Sequence, residues 1–158
     1  MLTPIMMSKK KASNIGGTYR YLRLNNILPP SGTSYAMIVE IEVFDSSVGT
    51  NWCWQPGVVA SASSSYTGQP PSAAIDGVIG TNAGNRWTSN GGTGQWFMVD
   101  FGQARYFDSI QLAVWTGFNQ DPTSFTIQGS NNGSTFTDLK SVNRGLYSNL
   151  TLTEVYKT

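Results

Sequence analysis

An all-β fold, an antiparallel sandwich of about eight short strands, is predicted by three features of the sequence. Apolar and polar residues alternate over short segments, as in "YRYLRL" (19–24) and "MIVEIEVF" (37–44). Clusters of Gly, Pro, Asn and Ser separate such segments at short intervals. No window carries a sustained apolar stripe at helical spacing, and no internal repeat is visible. Because a strand turns successive side chains to opposite faces, a period of two broken by frequent turns describes half-buried strands folded back on one another.

Residues 1–18 hold Lys9, Lys10, Lys11, Gly16 and Gly17 with no period of either kind. They read as an N-terminal arm, either a flexible tail or a docking segment, ahead of one domain over 19–158. From Tyr19 the alternation begins: Leu22 and Leu24 share one face, Tyr21 and Arg23 the other. Pro29-Pro30-Ser31-Gly32 makes a turn. Val39, Ile41 and Val43 then oppose Glu40, Glu42 and Phe44. Further strands are predicted at 58–64, 95–101, 108–115, 124–130, 134–142 and 146–156, with one helical turn at Pro71–Ile75, where Pro suits a helix start. Asn132-Gly133, between the strands at 124–130 and 134–142, is the strongest short hairpin signal in the chain.

Composition bounds the function. At 158 residues the chain buries about two thirds of its unfolded surface, enough for one independent core. Ten Lys+Arg balance nine Asp+Glu, so no global field favours nucleic acid. There is no His, which excludes imidazole-based triads and His-ligated zinc, and the single Cys53 forbids an intrachain disulfide. No segment is long and apolar enough to span a bilayer as a helix. The apolar run of "MLTPIMMSKKKASN" precedes its lysines, the reverse of a signal peptide, so standard export is not expected.

Catalytic motifs are weak. "SNGGTGQW" (89–96) has neither the spacing nor the following helix of a nucleotide-binding loop, and a Gly-bearing turn accounts for it. Asp76-Gly77 lacks the alternating ligands and closing Glu of an EF-hand. Glu40 and Glu42 are the nearest thing to a glycosidase carboxylate pair, yet two Glu on one strand face read better as solvated or structural. The protein is therefore expected not to be an enzyme.

The segments "VVASASSSY", "PPSAAIDG", "NRWTS", "QWFMVDFG", "SIQLAVW" and "SFTIQGSNNGSTFTDL", taken in order, resemble the discoidin family, the coagulation factor 5/8 C-type domain with a galactose-binding-like fold. The resemblance covers about residues 19–140. It implies a jelly-roll-like β-sandwich, generally non-catalytic, that binds glycans, phospholipid head groups or proteins through loops at one end. It also implies a structural Ca2+ held by Asp76 and Glu40 with nearby carbonyls, a set of hard oxygen ligands suited to that ion. The alternative is that Asp76 accepts backbone N–H groups and shapes its turn without a metal. "YRYLRL" and "IVEIEVF" look like the family's closing strands placed first, an order that resembles the permuted form of bacteriophage virion proteins. Trp87, Trp96 and Phe136 match packing positions of the family.

Binding residues are sought in the loops. Ile110, Leu112 and Val114 alternate inward, which turns Trp115 outward at the start of "WTGFNQDP". Trp115, Phe118, Asn119 and Gln120 combine an aromatic face with planar amides, the parts that hold a sugar, although an interface or ordinary packing would use them too. Tyr66, Gln69, Asn82 and Asn85 are candidates to contribute from neighbouring loops, and Arg86, directly before Trp87, has either a structural or a ligand role. Trp52 and Trp54 lie on one side of "NWCWQPG" if it is extended, either capping the sandwich or touching another subunit. The expected function is glycan recognition on the surface of a phage virion, by a protein multimeric on a larger assembly. The alternatives are a capsid-decoration or tail protein whose loops contact other virion proteins and, more remotely, the accessory module of a secreted glycosidase.

Overall fold

Two antiparallel sheets enclose one apolar core. The computed structural model describes residues 15–80, 82–114, 119–143 and 152–157, and the strands below are those among them. In chain order they are β1 (Gly17–Leu28), β2 (Met37–Ile38), β3 (Glu40–Asp45), β4 (Thr50–Asn51), β5 (Val59–Ala62), β6 (Trp87–Thr88), β7 (Gln95–Phe107), β8 (Ser109–Val114), β9 (Ser124–Ser130), β10 (Thr137–Asn143) and β11 (Leu152–Lys157). Single 3-10 turns occupy Trp52–Trp54 and Pro71–Ala74. The larger sheet runs β10-β9-β1-β7-β5 and the smaller β11-β8-β3-β4, with β2 and β6 as a separate pair. The all-β sandwich expected from the alternation is the fold observed.

Alternation explains which side chains enter the core. Leu22 and Leu24 of β1, Phe97 and Val99 of β7 and Ile127 of β9 join Ile41 and Val43 of β3 and Ile110 and Leu112 of β8 in one buried cluster. Each such side chain contributes about 1.5–3 kcal/mol on burial. Trp87 is fully buried, with its ring centroid 5.2 Å from that of Phe97 and its indole N–H donating to the Ser64 carbonyl at 2.9 Å. Trp96 falls between the inward Gln95 and Phe97, so it is half-buried on the outer face rather than in the core. Phe136 is also half-buried, packed beneath the Arg23 guanidinium at 3.5 Å.

β1 sits in the middle of the larger sheet, paired with β7 on one side and β9 on the other. Its register shifts between Leu24 and Ile27, where Asn26 adopts a left-handed φ of 50°. That bulge lets Ile27 return to the core. Ile15, just ahead of β1, is also fully buried, and residues 1–14 lie outside the described residues.

Several boundaries differ from those expected. β7 continues past residue 101 to Phe107, because Gly102 at φ 75° bends the strand and Gly17–Tyr19 pair with its second half. Segment 51–57, whose two indoles would share one side if it were extended, instead holds the 3-10 turn Trp52–Trp54. Asn51 caps it by accepting the Cys53 N–H at 3.0 Å. The two indoles therefore go separate ways, Trp52 to the Tyr106 carbonyl at 2.7 Å and Trp54 to Glu40 at 3.1 Å. Glu40 is not on a solvated face: it is 1% exposed.

Candidate functional site

A cleft of about 250 Å³ opens between the loops, lined by Tyr35, Tyr66, Gln69, Arg86, Thr88 and Gln120. Its walls come from segments far apart in sequence, and backbone hydrogen bonds hold them together. The Tyr66 N–H donates to the Thr88 carbonyl at 2.7 Å, and the Gln69 N–H to the Tyr66 carbonyl at 3.0 Å. The Met37 N–H donates to the Gln120 carbonyl at 2.8 Å, which ties the loop ahead of β9 to β2. Ser89 and Ala36 are joined twice: each N–H reaches the other residue, one through the Ser89 hydroxyl.

β6 aims the polar wall. Trp87 points into the core, so its neighbours Arg86 and Thr88 both turn to the opposite side, toward the cleft. Arg86 is 7% exposed, and its Nε donates to Gln69 Oε1 at 3.1 Å. Burial draws its guanidinium below the ordinary value. Thr88 is 3% exposed, and its hydroxyl oxygen is buried without a hydrogen-bond partner. Tyr35 and Tyr66 meet edge to face, their centroids 5.8 Å apart at 87°. The cleft thus combines aromatic surface, two amides and a guanidinium, which suits a ligand with both C–H faces and hydroxyl groups.

Of the residues expected to bind, Tyr66, Gln69, Arg86 and Gln120 line the cleft together. Trp115 and Phe118 lie outside the described residues. Asn119 is exposed at a left-handed φ of 52° and its amide reaches the Ser31 carbonyl at 3.5 Å. Asn82 and Asn85 close their own turn, Asn85 N–H to Asn82 carbonyl at 3.0 Å, and are not among the lining residues. Tyr35 and Thr88 were not singled out from the sequence. Thr88 was legible, since a residue next to a core Trp on a strand must face away from the core; Tyr35 carried no such signal.

The Asp76-Gly77 corner lies elsewhere. Asp76 is exposed and its Oδ1 accepts the Val78 N–H at 2.8 Å, the side-chain turn expected of an Asp in this position. Glu40 Oε1 accepts from both the Gly77 N–H and the Trp54 indole at 3.1 Å, while Oε2 is buried with no partner. Burial pushes this carboxyl up to about 7; the Trp54 and Gly77 hydrogen bonds oppose that rise, and the charges of Asp76 and Glu42 add to it. No three acidic, Cys or His side chains among the described residues are grouped to hold a metal. The parts that fit a cation are the orphaned Glu40 oxygen and the neighbouring Asp76 carboxylate, with carbonyls needed to complete the set.

The F5/8 type C domain family matches the chain over residues 59–156, more than half its length. The chain belongs to this family. Discoidin domains are generally non-catalytic binding modules, and membership points to carbohydrate or other ligand binding. β1 to β4 all precede the matched stretch, yet β1 and β3 pair with strands inside it. Comparison with curated proteins and with solved structures gave no match. No helix among the described residues is long and apolar enough to cross a membrane.

Proposed function

We propose that this protein is a non-catalytic recognition module that binds glycan in the cleft formed by Tyr35, Tyr66, Gln69, Arg86, Thr88 and Gln120. The observation that carries this reading is the cleft's lining, where two tyrosines in edge-to-face contact stand beside two amides. Aromatic surface for the C–H face of a sugar beside planar amides for its hydroxyls is the combination that holds one. Because a shallow site binds weakly on its own, several copies acting together would give useful avidity. A glycan array probed with a multimerised form tests the reading. Tyr66→Ala and Gln120→Ala are expected to lower the signal at least tenfold while leaving the melting temperature within a few degrees of wild type. Trp115→Ala tests, in the same format, the aromatic residue expected from the sequence to bind. A signal unchanged by all three substitutions would remove the cleft as the site.

The biological setting is proposed to be the surface of a bacteriophage particle, with host or environmental glycan as the ligand. What supports it is the position of β1 and β3 ahead of the matched stretch, the order seen in the resemblance to permuted virion proteins. In the alternative, the same loops contact other virion proteins as part of a capsid decoration or tail. Antibody labelling of purified particles, with and without competing glycan, separates the two: loops bound to neighbouring subunits would be inaccessible in both conditions. Structural Ca2+ at Asp76 and Glu40 belongs to the same proposal, the ion neutralising a buried carboxylate and fixing the corner. Millimolar Ca2+ is then expected to raise the melting temperature of the wild type and not of Asp76→Ala. A wild-type melt insensitive to Ca2+ and to chelator would rule the ion out.

A further inference from the structure

The two indoles of "NWCWQPG" are put to different uses. Trp52 is half-buried and occupied: its N–H reaches the Tyr106 carbonyl, and the Arg105 guanidinium lies over its ring at 4.7 Å. Trp54 is 53% exposed and yet held in place. Its N–H donates to the buried Glu40 at 3.1 Å, and the Gly77 backbone is so close that a Cβ there would stand 3.6 Å from the indole. A large ring fixed at two points without being buried has given up its rotamer freedom in advance. A ligand that lands on it meets that much less entropic cost.

Trp54 borders a cavity of about 380 Å³, within the roughly 300–1,000 Å³ of small-molecule sites. Val58 and Ile75 add apolar surface, and Gln55, Ser72 and Asp76 supply polar groups. Gln55 donates its Nε2 to the Asn51 carbonyl at 3.1 Å, which orients the amide and leaves Oε1 as an acceptor. Ser72 is exposed on the 3-10 turn Pro71–Ala74, with a hydroxyl that both donates and accepts. Asp76 is the only charged residue among the described ones that line the cavity, and an anionic ligand would meet it with no cation to offset the repulsion.

We infer that this cavity is a second saccharide site, for a neutral sugar whose C–H face rests on Trp54 while its hydroxyls pair with Gln55, Ser72 and Asp76. The inference takes its ligand class from the glycan reading and its residues from a different place in the fold. The cavity shares no lining residue with the tyrosine cleft. Gln69 of the cleft and Ser72 of the cavity nevertheless stand on either side of Pro70-Pro71, so one short segment carries a wall of each. One chain thereby offers two points of attachment to a polymer.

Nitrogen-15 NMR reads the two sites separately. The Trp54 indole N–H gives its own resonance, identified by its loss in Trp54→Phe, and the Gln120 side-chain amide, identified by its loss in Gln120→Ala, reports on the cleft. The wild type is titrated with the methyl glycosides of glucose, galactose, mannose and N-acetylglucosamine, with glucuronic acid as the charged comparison. At least one neutral glycoside is expected to shift the Trp54 resonance saturably, with a dissociation constant of about 1–10 mM. Gln55→Ala leaves both anchors of the indole intact and should weaken that titration several-fold, as the loss of one hydrogen bond requires. Tyr66→Ala should leave it unchanged. Glycosides that shift only Gln120 would overturn the inference and leave the glycan reading of the cleft standing. Glucuronic acid shifting Trp54 at lower concentration than the methyl glucoside would overturn it as a neutral-sugar site. A Trp54 resonance that moves with protein concentration and not with sugar would overturn it in favour of a contact between copies of this chain. If no sugar shifts either resonance, the glycan reading falls and this inference with it.

Discussion

Glu40 carries the sharpest conflict at the scale of single residues. Its carboxyl is buried, one oxygen is held by two N–H donors, and the other has none. With a folded value of about 7 against an ordinary 4.5, the folded state holds the proton more tightly than the unfolded state. Stability therefore falls as pH rises from about 4.5 to about 7, and the loss is complete above that range. In chelator, the stability of Glu40→Gln relative to wild type is expected to improve by about 2–3 kcal/mol between pH 4.5 and 8, measured by urea unfolding at each pH. A difference that does not change with pH would mean the carboxylate is already ionised and compensated. Asp100 is the contrary case: Arg20 Nε and Nη2 each reach it at 2.9 Å, and this pairing holds its carboxyl below the usual range. The sequence distinguishes poorly between these two acids. Both alternate with apolar residues, and only the tertiary contacts decide that one meets a guanidinium and the other an indole.

At the scale of elements, the hairpin joining β9 to β10 shows how much a few side chains specify. Asn132 Oδ1 accepts the Ser134 and Thr135 N–H groups at 2.9 and 2.8 Å, and the Ser130 hydroxyl accepts those of Asn132 and Gly133. Gly133 has a φ of 71°, and a Cβ there would stand 3.2 Å from the Tyr21 ring. Gly133→Ala is thus expected to cost about 1–2 kcal/mol, seen as a shifted denaturation midpoint with unchanged slope. This turn was legible because its chemistry is local. β7 was not legible beyond residue 101, since "GQARYF" lacks alternation and becomes a strand only because β1 pairs with it. The cleft was half legible for a related reason. Tyr66, Gln69, Arg86 and Gln120 have the chemistry of loop binders on their own, whereas Tyr35 qualifies only through the neighbour it meets.

For the whole molecule, the family match covers residues 59–156 but is not a folding unit. A fragment of 59–158 lacks β1 and β3, which would leave β7 and β9 without their shared neighbour and strip Leu22, Leu24, Ile41 and Val43 from the core. It is expected to show no cooperative melt by circular dichroism and to aggregate through its open strand edges, whereas the full chain should melt cooperatively. The position of β1 also sets a timetable for biosynthesis. Tyr21 is among the first sandwich residues to leave the ribosome, yet its partners Asp100 and Ser130 follow only with β7 and β9. The opening strand must wait for β7 to find its first partner and for β9 to find its second, so most of the sandwich is translated before its central strand is enclosed. Until then the apolar face of β1 is exposed on the nascent chain, and that interval is when the protein is most open to aggregation.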